Sequence, residues 1–127
     1  TSMYDGYAFE VICQRDGQET TLVEFIEAAL ATATAKGWHD EPRSFGEICT
    51  LLHTEISEAF EDYRKGRDLT EVYWEGDKPC GIPIELADLV IRVFDTCGAN
   101  GIDLEKAIAE KMAYNMTRPH RHGGKVC

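Results

Sequence analysis

The chain has 127 residues, 43% of them hydrophobic and 28% charged, with a formal net charge of −10. That length suits one domain able to bury a real core, and the composition is ordinary for a soluble globular protein. The acidity excludes broad binding to polymeric nucleic acid, which leaves a basic footprint, and no apolar run approaches the roughly 20 residues that span a bilayer.

Residues 1–20 read as a mixed, strand-like or irregular lead-in. Thr1 to Glu10 lacks the basic and apolar regions of a secretory signal, so a cytoplasmic location is expected. Cys13, Cys49, Cys80, Cys97 and Cys127 are widely spaced and form no C-x-x-C pair. That spacing argues against a disulfide framework or zinc ribbon, and Cys49 and Cys97 read as small core residues.

The helical domain is expected over residues 21–117. Its first helix runs from Thr21 to Lys36, with Thr20 or Thr21 as cap, Glu24 as capping-box acid and Gly37 as stop. Leu22, Phe25, Ile26, Ala29, Leu30 and Ala33 recur at helical spacing. Ser44 caps a second helix that reaches about Lys65 before Gly66. Residues 66–82 carry three glycines and a proline and read as a loop with at most a short helical turn. Pro83 opens a third helix that ends near Gly98, and Asp103 caps a fourth that reaches about Asn115. Residues 118–127 form a basic tail. Four helices with short connections and little strand signal indicate an all-α bundle.

Two acidic steps stand out, Glu55-x-x-Glu58 and Glu85-x-x-Asp88. Side chains at i and i+3 share a helix face, so each step aims two carboxylates one way. On the third helix, with Ile84 at 0°, Asp95, Asp88, Arg92 and Glu85 fall near about 20°, 40°, 80° and 100°. Apolar residues cover most of the remaining circumference, so this helix is expected to be buried with one narrow polar stripe. On the second helix, with Ile48 at 0°, Glu55 falls near about −20°, inside the apolar stripe marked by Leu52, Ile56, Ala59 and Tyr63. Glu58 and Asp62 sit on its shoulder.

A single Glu-x-x-Glu is more often a solvated or salt-bridged face. Two such steps on consecutive helices, each set in apolar pattern, instead ask for a cation. All-oxygen ligation favours Mg²⁺, or Mn²⁺, over zinc or iron, and the chain has no Glu-x-x-His step of the di-iron bundles. Mg²⁺ recruits substrate phosphates, which points to nucleotide chemistry.

E-x-x-E, a gap of 26 residues, then E-x-x-D, all on helices, resembles the MazG-like all-α nucleoside triphosphate pyrophosphohydrolases. Lys111-x-x-x-Asn115-x-x-Arg118-Pro119, followed by His120-Arg121-His122-Gly123-Gly124-Lys125, looks like the C-terminal segment of several such proteins. Lys36-Gly37-Trp38 resembles their aromatic element ahead of the first acidic motif. The resemblance covers residues 21 to 125.

It implies a four-helix bundle that forms homodimers or tetramers built from dimers, with sites near the subunit interface. It implies hydrolysis of (deoxy)nucleoside triphosphates between the α and β phosphates, giving monophosphate and pyrophosphate, with nucleotide-pool house-cleaning as a role. Glu55, Glu58, Glu85 and Asp88 would hold Mg²⁺, and Lys111, Asn115 and Arg118 would meet phosphate or sugar. Trp38 would lie against the base or wall the pocket.

Two departures stand out. Thr54 sits where several branches place a second acid, leaving Glu55, Glu58 and Asp62 as candidates to activate water. Arg92 sits where some relatives carry an aromatic, either to touch phosphate or to balance Asp95. Tyr73 and Trp74 either reach a base or seal the bundle. The competing functions are phosphoribosyl-ATP pyrophosphohydrolase, which shares the fold and reaction, and a non-catalytic helical metal-binding or interaction module.

Overall fold

A computed structural model of the chain describes residues 19–119. Cys13, His120, Arg121, His122, Lys125 and Cys127 lie outside the described residues, with nearly all of the lead-in and the tail. Among the described residues four helices carry the fold: α1 (Leu22–Ala35), α2 (Phe45–Arg64), α3 (Ile82–Ala99) and α4 (Leu104–Thr117).

Local chemistry sets the helix ends. Thr21 Oγ1 accepts from the Glu24 amide at 3.2 Å while the Glu24 carboxylate accepts from the Thr21 amide at 3.0 Å, closing the expected capping box on α1. Ser44 Oγ accepts from the Glu47 amide at 3.1 Å, and Asp103 Oδ1 from the Lys106 amide at 3.1 Å. Each such cap contributes about 1 kcal/mol. α3 has no side-chain cap; Gly81 precedes it at φ +117° and Pro83 lies in its first turn.

The segment expected to be a plain loop contains an antiparallel hairpin, β1 (Tyr73–Glu75) and β2 (Lys78–Cys80). Tyr73 pairs with Cys80, Trp74 with Pro79 and Glu75 with Lys78. Gly76, at φ +63°, sits in the two-residue turn, where a left-handed residue matches the strand twist. Arg67 closes the approach, its guanidinium 3.7 Å from the Tyr73 ring centroid and its Nη1 donating to Glu71 Oε2 at 2.9 Å. Strands of three residues are too short to show a period of two, so composition alone reads as loop.

α3 is the central element and packs against both α1 and α2. Small residues let the helices approach: Ala28, Ala31, Ala59 and Cys97 are buried. Gly98 faces Leu30 and Ile26 of α1, where any Cβ would crowd the Leu30 side chain. Phe25 and Phe94 stack across the same interface with centroids 6.4 Å apart.

Two expectations are corrected here. α3 is not buried all round: Leu86, Val90 and Ile91 are 44–49% exposed, because two neighbouring helices cover only part of its circumference. One chain does not close a four-helix bundle either, since α4 buries none of its residues. Among the described residues, no helix is long and apolar enough to cross a membrane.

Candidate metal centre

Glu55 lies midway along α2 at a position that faces α3, and it is 6% exposed. It is the one buried charged residue among those described. Glu58, one turn on, shares its face but is exposed at the rim. From α3, the first-turn residue Glu85 points at the same place. One carboxylate oxygen from each of Glu55, Glu58 and Glu85 lies within 4.8 Å of the others. Both acidic steps therefore contribute to one cluster, the first with Glu55 and Glu58 and the second with Glu85.

The electrostatics of this cluster are unfavourable without a cation or a proton. Glu85 Oε2 is buried and accepts no hydrogen bond. Burial, then the hydrogen bond with Glu58, then the charges of Glu58, Asp88 and Asp62 push the Glu85 carboxyl up to about 7. Two ionised carboxylates cannot hydrogen-bond one another, so a proton shared by Glu58 and Glu85, or a cation between them, must satisfy the contact. The donor set is all oxygen, and an orphaned buried oxygen is aimed into it. These residues fit a hard divalent ion such as Mg²⁺ or Mn²⁺.

Asp88 is not one of the three converging acids. It lies one turn along α3, exposed, on the wall of a neighbouring cavity. It still feels the cluster: burial, then the Glu55 charge, raises its carboxyl, while Arg92 pulls the other way. Asp62 likewise acts on Glu85 through its charge.

Arg92 does not balance Asp95. Its Nε donates to Glu55 Oε1 at 2.7 Å, so its partner is the buried acid of the cluster. Asp95 instead accepts from His39 Nε2 at 2.7 Å. The guanidinium of Arg92 also stands 4.8 Å from the Trp38 ring centroid, and that of Arg43 stands 4.6 Å from it. Both contacts lie in the range of cation–π attraction.

Trp38 is 39% exposed and walls two cavities. The larger, about 620 Å³, runs between α1 and α3, with Phe25, Phe94 and Ile91 on its sides and Asp88, Arg92 and Asp95 at its polar edge. The smaller, about 250 Å³, lies between Trp38 and α2 and is edged by His39, Arg43 and Asn100. The larger has the size of a small-molecule site.

The other expected ligand contacts are not assembled. Lys111, Asn115 and Arg118 belong to α4 and its end, and Lys111 Nζ and Arg118 Cζ stand 5.0 and 5.4 Å from the ring of Tyr114 on that same helix. Trp74 is exposed on β1, and the Tyr73 ring is taken by Arg67. Sequence pattern did not single out Arg43 or the His39–Asp95 pair, which joins residues 56 positions apart. The nearest available signal was a cationic residue beside Trp38 in a short inter-helix loop. No family model, no curated protein and no solved structure matches this chain.

Proposed function

We propose that this protein is a Mg²⁺-dependent nucleoside triphosphate pyrophosphohydrolase of the MazG-like kind, releasing monophosphate and pyrophosphate from (deoxy)nucleoside triphosphates. The observation that carries the reading is the meeting of Glu55, Glu58 and Glu85 from two helices around one point, with the Glu85 Oε2 orphaned there. A Trp-walled cavity edged by Asp88 and Arg92 adjoins it, which suits a ligand with an anionic end and a planar end.

Glu55, Glu58 and Glu85 would hold the ion, with Asp88 as the outer acid on the cavity side. When bound, Mg²⁺ supplies neutralisation of phosphate charge and acidification of water. The chain supplies the rest. Before the ion arrives, Arg92 holds Glu55 in place for it. Glu58, exposed beside Glu55, gives one oxygen to the cluster, and its second oxygen would take the proton from an attacking water. The indole of Trp38 offers a face for the base, and the apolar wall of Phe25, Ile91 and Phe94 excludes water around it.

The phosphate-side cations belong to α4 in this reading, and a second copy of the chain brings them in. With Leu104 at 0° on α4, Asn115, Ile108 and Met112 fall near about 20°, 40° and 80°, and Lys111 near about −20°. Apolar stripe and polar groups share one face. Ile108, Met112 and Met116 are exposed, so the stripe is available to a partner. Docking it would complete a bundle between two chains, as a homodimer or a tetramer built from two dimers.

The test is a panel of nucleoside triphosphates, with phosphoribosyl-ATP alongside, read by pyrophosphate release in the presence and absence of Mg²⁺. The reading expects release from at least one triphosphate that Glu58→Ala abolishes while the helical content is kept. Release from phosphoribosyl-ATP alone moves the assignment to that reaction. Mg²⁺ binding with no turnover of any substrate points to a non-catalytic metal-binding module. Unchanged release in Glu58→Ala removes the assigned site.

A further inference from the structure

The Glu55–Arg92 pair carries a second inference, which rests on reading the acidic cluster as a cation site. Glu55 is the buried member of that cluster, and its Oε1 is held by Arg92 Nε at 2.7 Å. The same guanidinium lies against Trp38 at 4.8 Å, and Arg92 and Trp38 both line the two cavities. One side chain thus touches both the ion cluster and the aromatic wall.

We propose that Arg92 is an internal counter-ion that a divalent cation displaces from Glu55, and that the displaced guanidinium then serves the phosphate of the ligand. Without an ion, a buried carboxylate needs a positive partner, and the Arg92 guanidinium is the one it has. A divalent ion drawn in by Glu58 and Glu85 competes for the same Glu55 oxygens, since one oxygen cannot hold both at full strength. The exchange is balanced: Glu55 gives up an N–H donor and gains a metal contact, and no bond within either side chain changes.

Arg92 is then a cation beside a cation, a repulsion that an anion relieves. Its planar donor fork matches phosphate oxygens. One positive charge is used twice, first to hold Glu55 in place, then to bind phosphate. Ion and phosphate therefore bind cooperatively, each tightening the other by the same factor. The Trp38 indole reports the exchange, because the group leaving Glu55 is the one that stands over its ring. Arg92 is a positioning residue for Glu55 in the ion-free protein.

The experiment uses the full chain with Trp74→Phe, which leaves Trp38 as the only tryptophan. Mg²⁺ is titrated calorimetrically and by Trp38 emission, with and without inorganic phosphate. The proposal expects an emission change that saturates at the calorimetric midpoint, and a several-fold tighter Mg²⁺ midpoint when phosphate is present. Arg92→Met is expected to bind Mg²⁺ more tightly than its parent, without the emission change or the phosphate effect.

Mg²⁺ binding with flat Trp38 emission in the parent overturns the proposal, as does weaker Mg²⁺ binding in Arg92→Met. Arg92→Lys keeps a charge at the site but loses the planar face, and serves if Arg92→Met does not fold. It is expected to bind Mg²⁺ and lose the emission change; a full emission response in it overturns the proposal. No calorimetric Mg²⁺ binding by the parent is a separate result, which removes the metal centre itself and this inference with it.

Discussion

Arg92 on α3 and Glu55 on α2 meet at 2.7 Å across the interface of the two helices that carry the acidic steps. The pair is 31% and 8% exposed at its side chains, so water screens it only from the arginine side. Glu55→Ala leaves the guanidinium facing a hole and acids that no longer balance it. Loss of one partner of a fully buried pair costs 3–5 kcal/mol, and the part-exposed arginine lowers this to about 2 kcal/mol. Glu55→Leu combined with Arg92→Met, which removes both charges, is expected to cost less than Glu55→Ala alone. Urea unfolding of the three proteins, read by helical circular dichroism, checks the order.

Glu85 gives the metal-free protein an unusual pH dependence. Its carboxyl rises from 4.5 to about 7 on folding, chiefly through burial and the Glu58 contact. Between those values the folded chain holds a proton that the unfolded chain has released, so this group makes stability fall as pH rises. The contribution is fully present below about pH 4.5 and is gone once pH passes 7. Melting temperatures measured from pH 5 to 8 should decline, more steeply than in Glu85→Gln. In the proposed metal centre Mg²⁺ would replace the proton, so its stabilising effect should be greater at pH 8 than at pH 5.

Asp88 stands apart from the three acids that share a point, which separates its variant from theirs. Glu58→Ala removes one of the three clustered carboxylates, and under the proposed metal centre its Mg²⁺ affinity should fall by more than about tenfold. Asp88→Ala leaves that trio in place, so it should keep a larger share of Mg²⁺ affinity and lose hydrolysis through the cavity side. Isothermal titration beside a pyrophosphate assay distinguishes the two patterns. Equal loss of affinity in both would place Asp88 among the direct ligands.

Much of this arrangement was legible in the residues. The capping box of Thr21 and Glu24 and the caps at Ser44 and Asp103 lie where side-chain chemistry puts them, and the four helices follow. The helical angle of Glu55, inside an apolar stripe, foretold its burial. What stayed hidden depends on neighbours. An angle on α3 says that Arg92 shares a face with Asp88 and Asp95, but not that α2 supplies its partner. Apolar residues round α3 say that it seeks cover, not that two helices leave Leu86, Val90 and Ile91 open. The hairpin escaped because Tyr73–Glu75 and Lys78–Cys80 are too short for periodicity, and Gly-rich composition masks them.

α4 offers a direct test of association. Ile108 and Met112 lie on its apolar stripe and are 37% and 62% exposed in the single chain. Placing Glu at either position should leave the monomer's helicity unchanged, since neither side chain is buried within it. Sedimentation should then show a shift from dimer or tetramer to monomer, with loss of hydrolysis. A parent chain that is monomeric at all concentrations would refute the role given to this helix.

Gly81 ties the hairpin to α3. It takes φ +117°, and a Cβ on it would run into the Glu71 carbonyl. Gly81→Ala therefore meets both a backbone penalty and a clash, and should destabilise by about 2 kcal/mol. Because Glu85 donates its amide to the Gly81 carbonyl, the variant should also weaken Mg²⁺ binding. Thermal melts with and without Mg²⁺ test both effects.

Glu85, Asp88, Arg92 and Asp95 descend one side of a single unbroken helix, from the ion cluster to the pocket beside His39. Ten residues of helix fix that descent at about 15 Å. No loop intervenes to stretch or shorten it. For the ligand proposed above, that spacing would act as a ruler: one whose charged and flat ends are too close together or too far apart is rejected by length before any group on its ring is read.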